Sequence, residues 1–332
     1  MTKVTTANAE NLAGLELFAG YDGEALRPLA ALLRPLTAEP GTVLMHQGEP
    51  AVHFLLIGSG RVEITHTGPD GAVVVTEVGP GVIVGEISLL RNAPRTATVV
   101  AAEPLSGWIG DREAFSVMLG IPGFADTLVK IARQRLASFI TPIPVRMRDR
   151  TRLFLRPVLP GDEAKTREGH VEFSNETLYR RFMSMGQPNS ALMHYLFAVD
   201  YVDHFVWVLT DTPDGVVVAD GRFVRDHADP GTAEVAFLVA DDYQGRGVGS
   251  FLMDALAVAA TCAGVQRFTA QVLVDNYPMR RILDRFGVHW EFADNNVVST
   301  VFDVPKLRDL SLSPRLYRRI YDMARQVVRA VG

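Results

Sequence analysis

Apolar residues recur at Leu26, Leu29, Ala30, Leu32 and Leu33, the spacing of one helical face, just after Gly23. Beyond Gly41 the period shortens. Short β-rich stretches at Val43 to Met45, Phe54 to Ile57, Val62 to Thr65, Val73 to Val78 and Ala97 to Ala101 are separated by turn signals such as QGEP, GSG and GPG. Many short strands with regular turns predict a small antiparallel barrel or jelly roll. Helical spacing returns from Arg112 and again from Phe124 to Phe139, and ends at TPIPV, where two prolines interrupt regular structure. From Thr151 strands and helices alternate. Strands are expected at Leu153 to Val158, Phe205 to Leu209, Val216 to Val224, Glu234 to Val239, Arg267 to Val274 and Val297 to Val304. Helices are expected around Thr177 to Ser184 and at Gly249 to Ala263, Pro278 to Phe286 and Ser313 to Val331. This order predicts an α/β domain with a twisted sheet covered by helices.

The change of pattern divides the 332 residues into a regulatory-type barrel domain with flanking helices at 11–140, a linker at 141–150, an α/β domain at 151–305 and a helical extension at 306–332. Composition supports two globular domains: 48% of residues are hydrophobic and 21% charged. A formal net charge of -5 argues against nucleic acid as the main partner. The lone Cys262 forms no intrachain disulfide, no apolar run reaches the length of a membrane span, and the N-terminus carries no secretory pattern. A cytoplasmic protein without a membrane partner or a metal site is expected.

Two segments carry chemistry. In GEISLLRNAPRTATVVA, Gly85 to Ala101, Arg95 can pair with one phosphodiester charge and Glu86 can accept from a ribose hydroxyl. Gly85 permits close backbone approach, and the N–H groups of Ile87 and Ser88 can face the phosphate. With the glycines of QGEP and GSGRVEI, this segment resembles the phosphate-binding cassette of cyclic-nucleotide-binding domains, as in regulatory subunits of cAMP-dependent kinases and bacterial catabolite activators. The resemblance implies a cyclic-nucleotide effector. Thr96 follows the arginine, where a hydroxyl favours guanine in some kinases yet serves cAMP in bacterial members, so cAMP is the expected nucleotide. Arg135, on the helix after the barrel, is the candidate contact to the base.

In AEVAFLVADDYQGRGVGSFLMDAL, a strand passes into a helix through Gln244, Gly245, Arg246, Gly247, Val248, Gly249 and Ser250. Successive backbone N–H groups at a helix N-terminus hold a pyrophosphate, and this spacing differs from the dinucleotide-binding G-x-G-x-x-G. The stretch resembles motif A of the GCN5-related N-acetyltransferases (GNAT), and DNYPMRRILDRFGV resembles their motif B. The resemblance implies acetyl-CoA as co-substrate. It puts Phe237, Leu238 and Val239 against the pantetheine, residues 244–250 at the pyrophosphate, Asn276 on the pantetheine side, and added charge from Arg246, Arg280 or Arg281.

A lysine ammonium, with a pKa near 10.4, holds almost no free lone pair at neutral pH, so acetyl transfer to lysine needs a base. Glu234, expected to be partly buried at the start of its strand, is the candidate, with a backbone N–H around Val239 for the oxyanion. Leu283 stands where many members of the family carry a tyrosine acid, so no acid is assigned. SNETLYRRFMS, Ser174 to Ser184, resembles a segment of bacterial protein lysine acetyltransferases. Taken whole, the chain resembles the mycobacterial-type cAMP-regulated protein lysine acetyltransferases. That resemblance implies protein substrates such as acyl-CoA synthetases or a universal stress protein. A small-molecule amine acetyltransferase under the same control is the alternative. His170 is a candidate autoinhibitory mimic of the acceptor lysine.

Overall fold

The computed structural model describes residues 7–68, 71–164, 173–183, 189–294 and 296–329, and these divide into two compact units between Ala132 and Arg133. In the first unit, α1 (Ala9–Ala13) and α2 (Gly23–Leu32) precede eight strands: β1 (Arg34–Ala38), β2 (Val43–Met45), β3 (His53–Ser59), β4 (Val62–Thr67), β5 (Val73–Val78), β6 (Ile83–Val84), β7 (Thr98–Ala101) and β8 (Leu105–Asp111). They form two four-stranded antiparallel sheets, ordered β1-β8-β3-β6 and β2-β7-β4-β5. Helix α3 (Glu86–Leu90) interrupts the strand order after β6, and α4 (Arg112–Leu119) and α5 (Phe124–Ser138) follow the barrel. Its core gathers Phe18, Leu26, Leu29, Phe54, Phe115, Phe124 and Leu128.

Strand β8 was not legible in the periodicity because LSGWIGD carries two glycines. Both are sites of close approach: a Cβ on Gly107 would stand 2.1 Å from the Leu56 carbonyl oxygen, and one on Gly110 2.5 Å from the Phe54 ring.

The second unit is built on one eight-stranded sheet, ordered β15-β16-β14-β13-β12-β11-β10-β9. The strands are β9 (Ile143–Arg146), β10 (Arg152–Pro157), β11 (His204–Thr210), β12 (Val217–Arg225), β13 (Thr232–Val239), β14 (Arg267–Leu273), β15 (Glu291–Asp294) and β16 (Val297–Asp303). The helices are α6 (Asn175–Phe182), α7 (Ser190–Phe197), α8 (Val248–Ala263), α9 (Tyr277–Asp284) and α10 (Pro314–Val328). Helix α8 is the buried centre, with Leu252, Met253, Leu256 and Ala260 in the core; Ile320, Met323, Ala324 and Val327 of α10 join the same cluster.

The segment expected as a linker is in part an edge strand. β9 pairs with β10, with Pro144 opposite Phe154. An edge strand tolerates proline because one side of it makes no ladder bonds, so the prolines of TPIPV mark an edge rather than an interruption.

Candidate functional site

In the first unit the cassette is a buried cluster. Gly85 takes a left-handed φ of 91° as the residue before α3, and a Cβ there would lie 2.6 Å from Arg95 Nη1 and 2.8 Å from the Met45 methyl. Only glycine fits this position. Glu86, Ile87, Ser88 and Arg95 are all buried. The Arg95 guanidinium donates to the Gly85 carbonyl at 3.0 Å and the His53 carbonyl at 2.6 Å, so its direction is set by backbone oxygens. Burial lowers the Arg95 pKa while the Glu86 carboxylate opposes that shift. A desolvated guanidinium beside the left-handed turn and the first N–H groups of α3 is a fitting receptor for one phosphodiester. Thr96 follows, its carbonyl 2.6 Å from His66 Nδ1. Arg135 stands in the last turn of α5, just past the division between the units.

In the second unit β13 runs antiparallel to β12 along Ala233 to Val239, but its parallel pairing with β14 stops at Glu234 and Thr269. Beyond that point the two strands part. The opening leads into a cavity of about 670 Å³ lined by Glu234, residues 235–239, Gln271, Asn276, and the loop at Gln244, Gly245 and Gly247 to Ser250. Strand groups released from pairing are suited to the amides of an extended chain.

At the far end of the cavity, Gly245 and Gly247 take φ values of 70° and 87°, and Val248 begins α8. A Cβ on Gly249 would lie 2.7 Å from Ile282 of α9, so glycine there lets the two helices close the floor. Such a left-handed turn at the N-terminus of a sixteen-residue helix is an anion cradle. A cation beside it is Arg148, whose Cδ lies 3.2 Å and Nε 3.3 Å from where a Gly247 Cβ would stand. Sequence reasoning missed Arg148 because it falls in the stretch taken for a linker.

The Arg246 side chain, expected to add charge at the pyrophosphate, is engaged elsewhere. Its guanidinium pairs with Asp149 at 3.0 Å, donates to Thr151 Oγ1 at 3.2 Å and covers the Tyr243 ring, and it does not line the cavity. Of the other two arginines, Arg281 lines the cavity, whereas Arg280 donates to the Val274 carbonyl and packs over Trp290. The Gln244 side chain is also turned away from a phosphate role: its amide donates to Thr177 Oγ1, the Val239 carbonyl and Asp241 at 2.9 to 3.2 Å. Asn276 Oδ1 caps α9 by accepting from the Met279 N–H at 3.2 Å, leaving its amide group to serve the cavity. Leu283 is fully buried.

Glu234 stands exposed at the cavity mouth, not partly buried as its strand position suggested, because the parting of β13 and β14 opens it to solvent. Among the described residues it is the one carboxylate lining the cavity, and α6 brings Arg180 and Arg181 beside it. Burial, with Arg222 nearby, pushes the Arg181 guanidinium down to about 10. Asp241 anchors α6 by accepting from the Ser174 N–H, Ser174 Oγ and Thr177 Oγ1. Burial acts to raise the Asp241 pKa, but these hydrogen bonds outweigh it and hold the carboxyl below its usual value. His170 lies outside the described residues.

Two domain families match: the cyclic nucleotide-binding domain over residues 35–120 and the acetyltransferase (GNAT) domain over residues 152–289. Acetyltransferase Pat of Mycolicibacterium smegmatis is 57% identical over 332 residues, all of both chains. A solved cAMP-binding acyltransferase from Mycobacterium smegmatis is 54% identical, covers 98% of each chain and superposes with a TM-score of 0.52; related structures of it carry R95K and E234A. The CRP-like cAMP-activated global transcriptional regulator of Mycobacterium tuberculosis is 30% identical over 129 residues, 38% of this chain and 58% of that one. The two matching domains, one on each unit, and the full-length similarity place the chain in the family of acetyltransferase Pat, an acetyltransferase with acetyl-CoA as co-substrate and cAMP as effector.

Proposed function

We propose that this chain transfers the acetyl group of acetyl-CoA to lysine side chains of other proteins, with Glu234 as general base. The observation that supports the reading is the parting of β13 from β14 at Glu234, the one carboxylate lining the cavity among the described residues, next to strand groups free to receive an extended cofactor arm. The loop from Gly245 to Ser250 holds the pyrophosphate, with Arg148 and Arg281 adding charge, and the backbone from Phe237 to Val239 takes the pantetheine amides. Glu234 accepts the ammonium proton at the mouth, where its exposure lets it pass the proton to water. A backbone N–H around Val239 steadies the charge that develops on the acetyl oxygen. With a thiol pKa near 8.5 the departing thiolate is a tolerable leaving group that takes its proton from water, so no side-chain acid is assigned.

cAMP binds the first unit through Arg95, Gly85 and the N–H groups opening α3, with Glu86 on the ribose, and it raises the rate of transfer. A ligand changes activity only by binding two states of the protein with different affinity, so the gain in rate is bounded by that difference. The preferred substrates are acyl-CoA synthetases or a universal stress protein, as the full-length resemblance implies, and the segment from Ser174 to Ser184 favours a protein over a small amine. Incubation of these proteins with acetyl-CoA, with and without cAMP, is read by mass spectrometry. Acetyl-lysine that rises with cAMP supports the proposal; turnover of free amines alone overturns it.

A further inference from the structure

One face of the sheet continues past the cavity mouth. Glu234, Thr269 and Val301 are register partners on β13, β14 and β16, so their side chains share a face. On that face Arg267 lies opposite Asp303, Gln271 opposite Ser299, and Ser299 in turn opposite Glu291 of β15. Val301 is 60% exposed, and Arg267, Gln271, Asp303 and Glu291 are exposed as well. The other face of the same strands is the buried one, through Phe268, Ala270, Val272, Val298 and Thr300.

The charges on the open face are uneven. Arg267 is engaged by Asp229 at 2.5 Å, which leaves Asp303 and Glu291 as a carboxylate on each side of the row that begins at Glu234. On the opposite side of Glu234 the charge is positive: Arg180 is paired with Glu176 at 2.5 Å, and Arg181 has no carboxylate within ion-pair distance among the described residues.

We propose that the open face of β14, β16 and β15 docks the acceptor protein, and that it selects a lysine whose neighbours on that side are themselves cationic. The proposal rests on Glu234 marking the point of transfer. With strands about 4.8 Å apart and about 3.3 Å per residue along each, Asp303 lies about 12 Å and Glu291 about 16 Å from Glu234 at the level of the backbone. An extended acceptor therefore brings a side chain about three to five residues from the lysine over one of these carboxylates. The arginines of α6 set the direction, because they repel the cationic flank from their own side.

The test uses the full chain with saturating cAMP and acetyl-CoA, and three peptides with one lysine flanked about four residues away by arginine, alanine or glutamate. The arginine-flanked peptide is expected to exceed the alanine-flanked one in kcat/KM by about 3- to 10-fold at low salt, a preference that shrinks as salt screens the exposed pairs. The double variant E291K/D303K is expected to reverse the order in favour of the glutamate-flanked peptide. Each preference is a ratio within one preparation, so a partly misfolded sample does not alter it. No preference in the parent chain, or the same order in the double variant, overturns the proposal. Glu234→Gln separates the two readings: it slows all three peptides alike if Glu234 is the base, and if it does not, the base assignment fails while the charge-swap result still stands or falls by itself.

Discussion

Glu234 and Gly85 show how much can depend on one side chain or on the lack of one. Glu234→Gln keeps the shape of the cavity mouth and removes the proton acceptor, so kcat is expected to fall by about 100- to 10,000-fold with little change in acetyl-CoA affinity, as single-turnover kinetics and titration would show. Gly85→Ala puts a methyl group 2.6 Å from the Arg95 guanidinium at a left-handed φ. Calorimetry is expected to find cAMP affinity lower by well over tenfold. His204 offers a third test, through pH. It is buried against Tyr195, and burial, with Arg222 nearby, pushes its pKa down to about 4. Below its unfolded pKa near 6.5 the unfolded chain takes up a proton that the folded chain refuses. Stability is therefore lost as pH falls from 6.5 towards 4, by up to about 3 kcal/mol, and His204→Gln should flatten thermal melts over that range. The need for a bare Cα at Gly85 and Gly247 was legible in the sequence because a glycine in a turn leading into a helix has few other uses. The engagements of Arg246 and Gln244 were not, because a flexible polar side chain takes its nearest partners, and Asp149, Thr151 and Thr177 are near only after folding.

At the scale of elements, the parting of β13 and β14 makes the site, and α6 closes one side of it. Helix α6 is held through Asp241, which also receives the Gln244 amide and so joins the acceptor-side helix to the loop that opens the pyrophosphate cradle. Asp241→Ala removes three acceptor contacts at the start of that helix. It should speed hydrogen exchange over residues 174–183 and raise the acceptor KM about 5- to 10-fold, equivalent to the one or so kcal/mol typical of a lost helix cap. Most strands could be read from alternation, and α8 and α10 from their apolar faces. Strands β8 and β9 could not, because glycines and prolines that signal turns in isolation here serve close packing under Leu56 and Phe54 and a sheet edge beside Phe154. The pattern also leaves β1, β6 and β15 unmarked, and β8 and β9 follow from tertiary contacts that a local pattern does not contain.

At the scale of the molecule, two separate cores carry two separate ligands, Phe54 and Phe115 belonging to one and Trp207 and Leu252 to the other. A ligand stabilises the unit it binds. cAMP at about one hundred times its Kd should stabilise the first unit by about 2.7 kcal/mol, and acetyl-CoA the second by the same rule, as separate shifts in scanning calorimetry. The division of labour was legible from the two motifs, whereas the place of the boundary within α5 was not, since one continuous helical pattern spans it. The most direct test follows acetyl-lysine on an acceptor protein over time for the full chain, Arg95→Lys and Glu234→Gln, each with and without cAMP. Glu234 as base and cAMP as activator predict cAMP-stimulated acetylation by the parent, loss of stimulation at moderate cAMP in Arg95→Lys, and near-complete loss of transfer in Glu234→Gln at any cAMP. Acetylation by Glu234→Gln at the parent rate, or equal parent rates with and without cAMP, would contradict it.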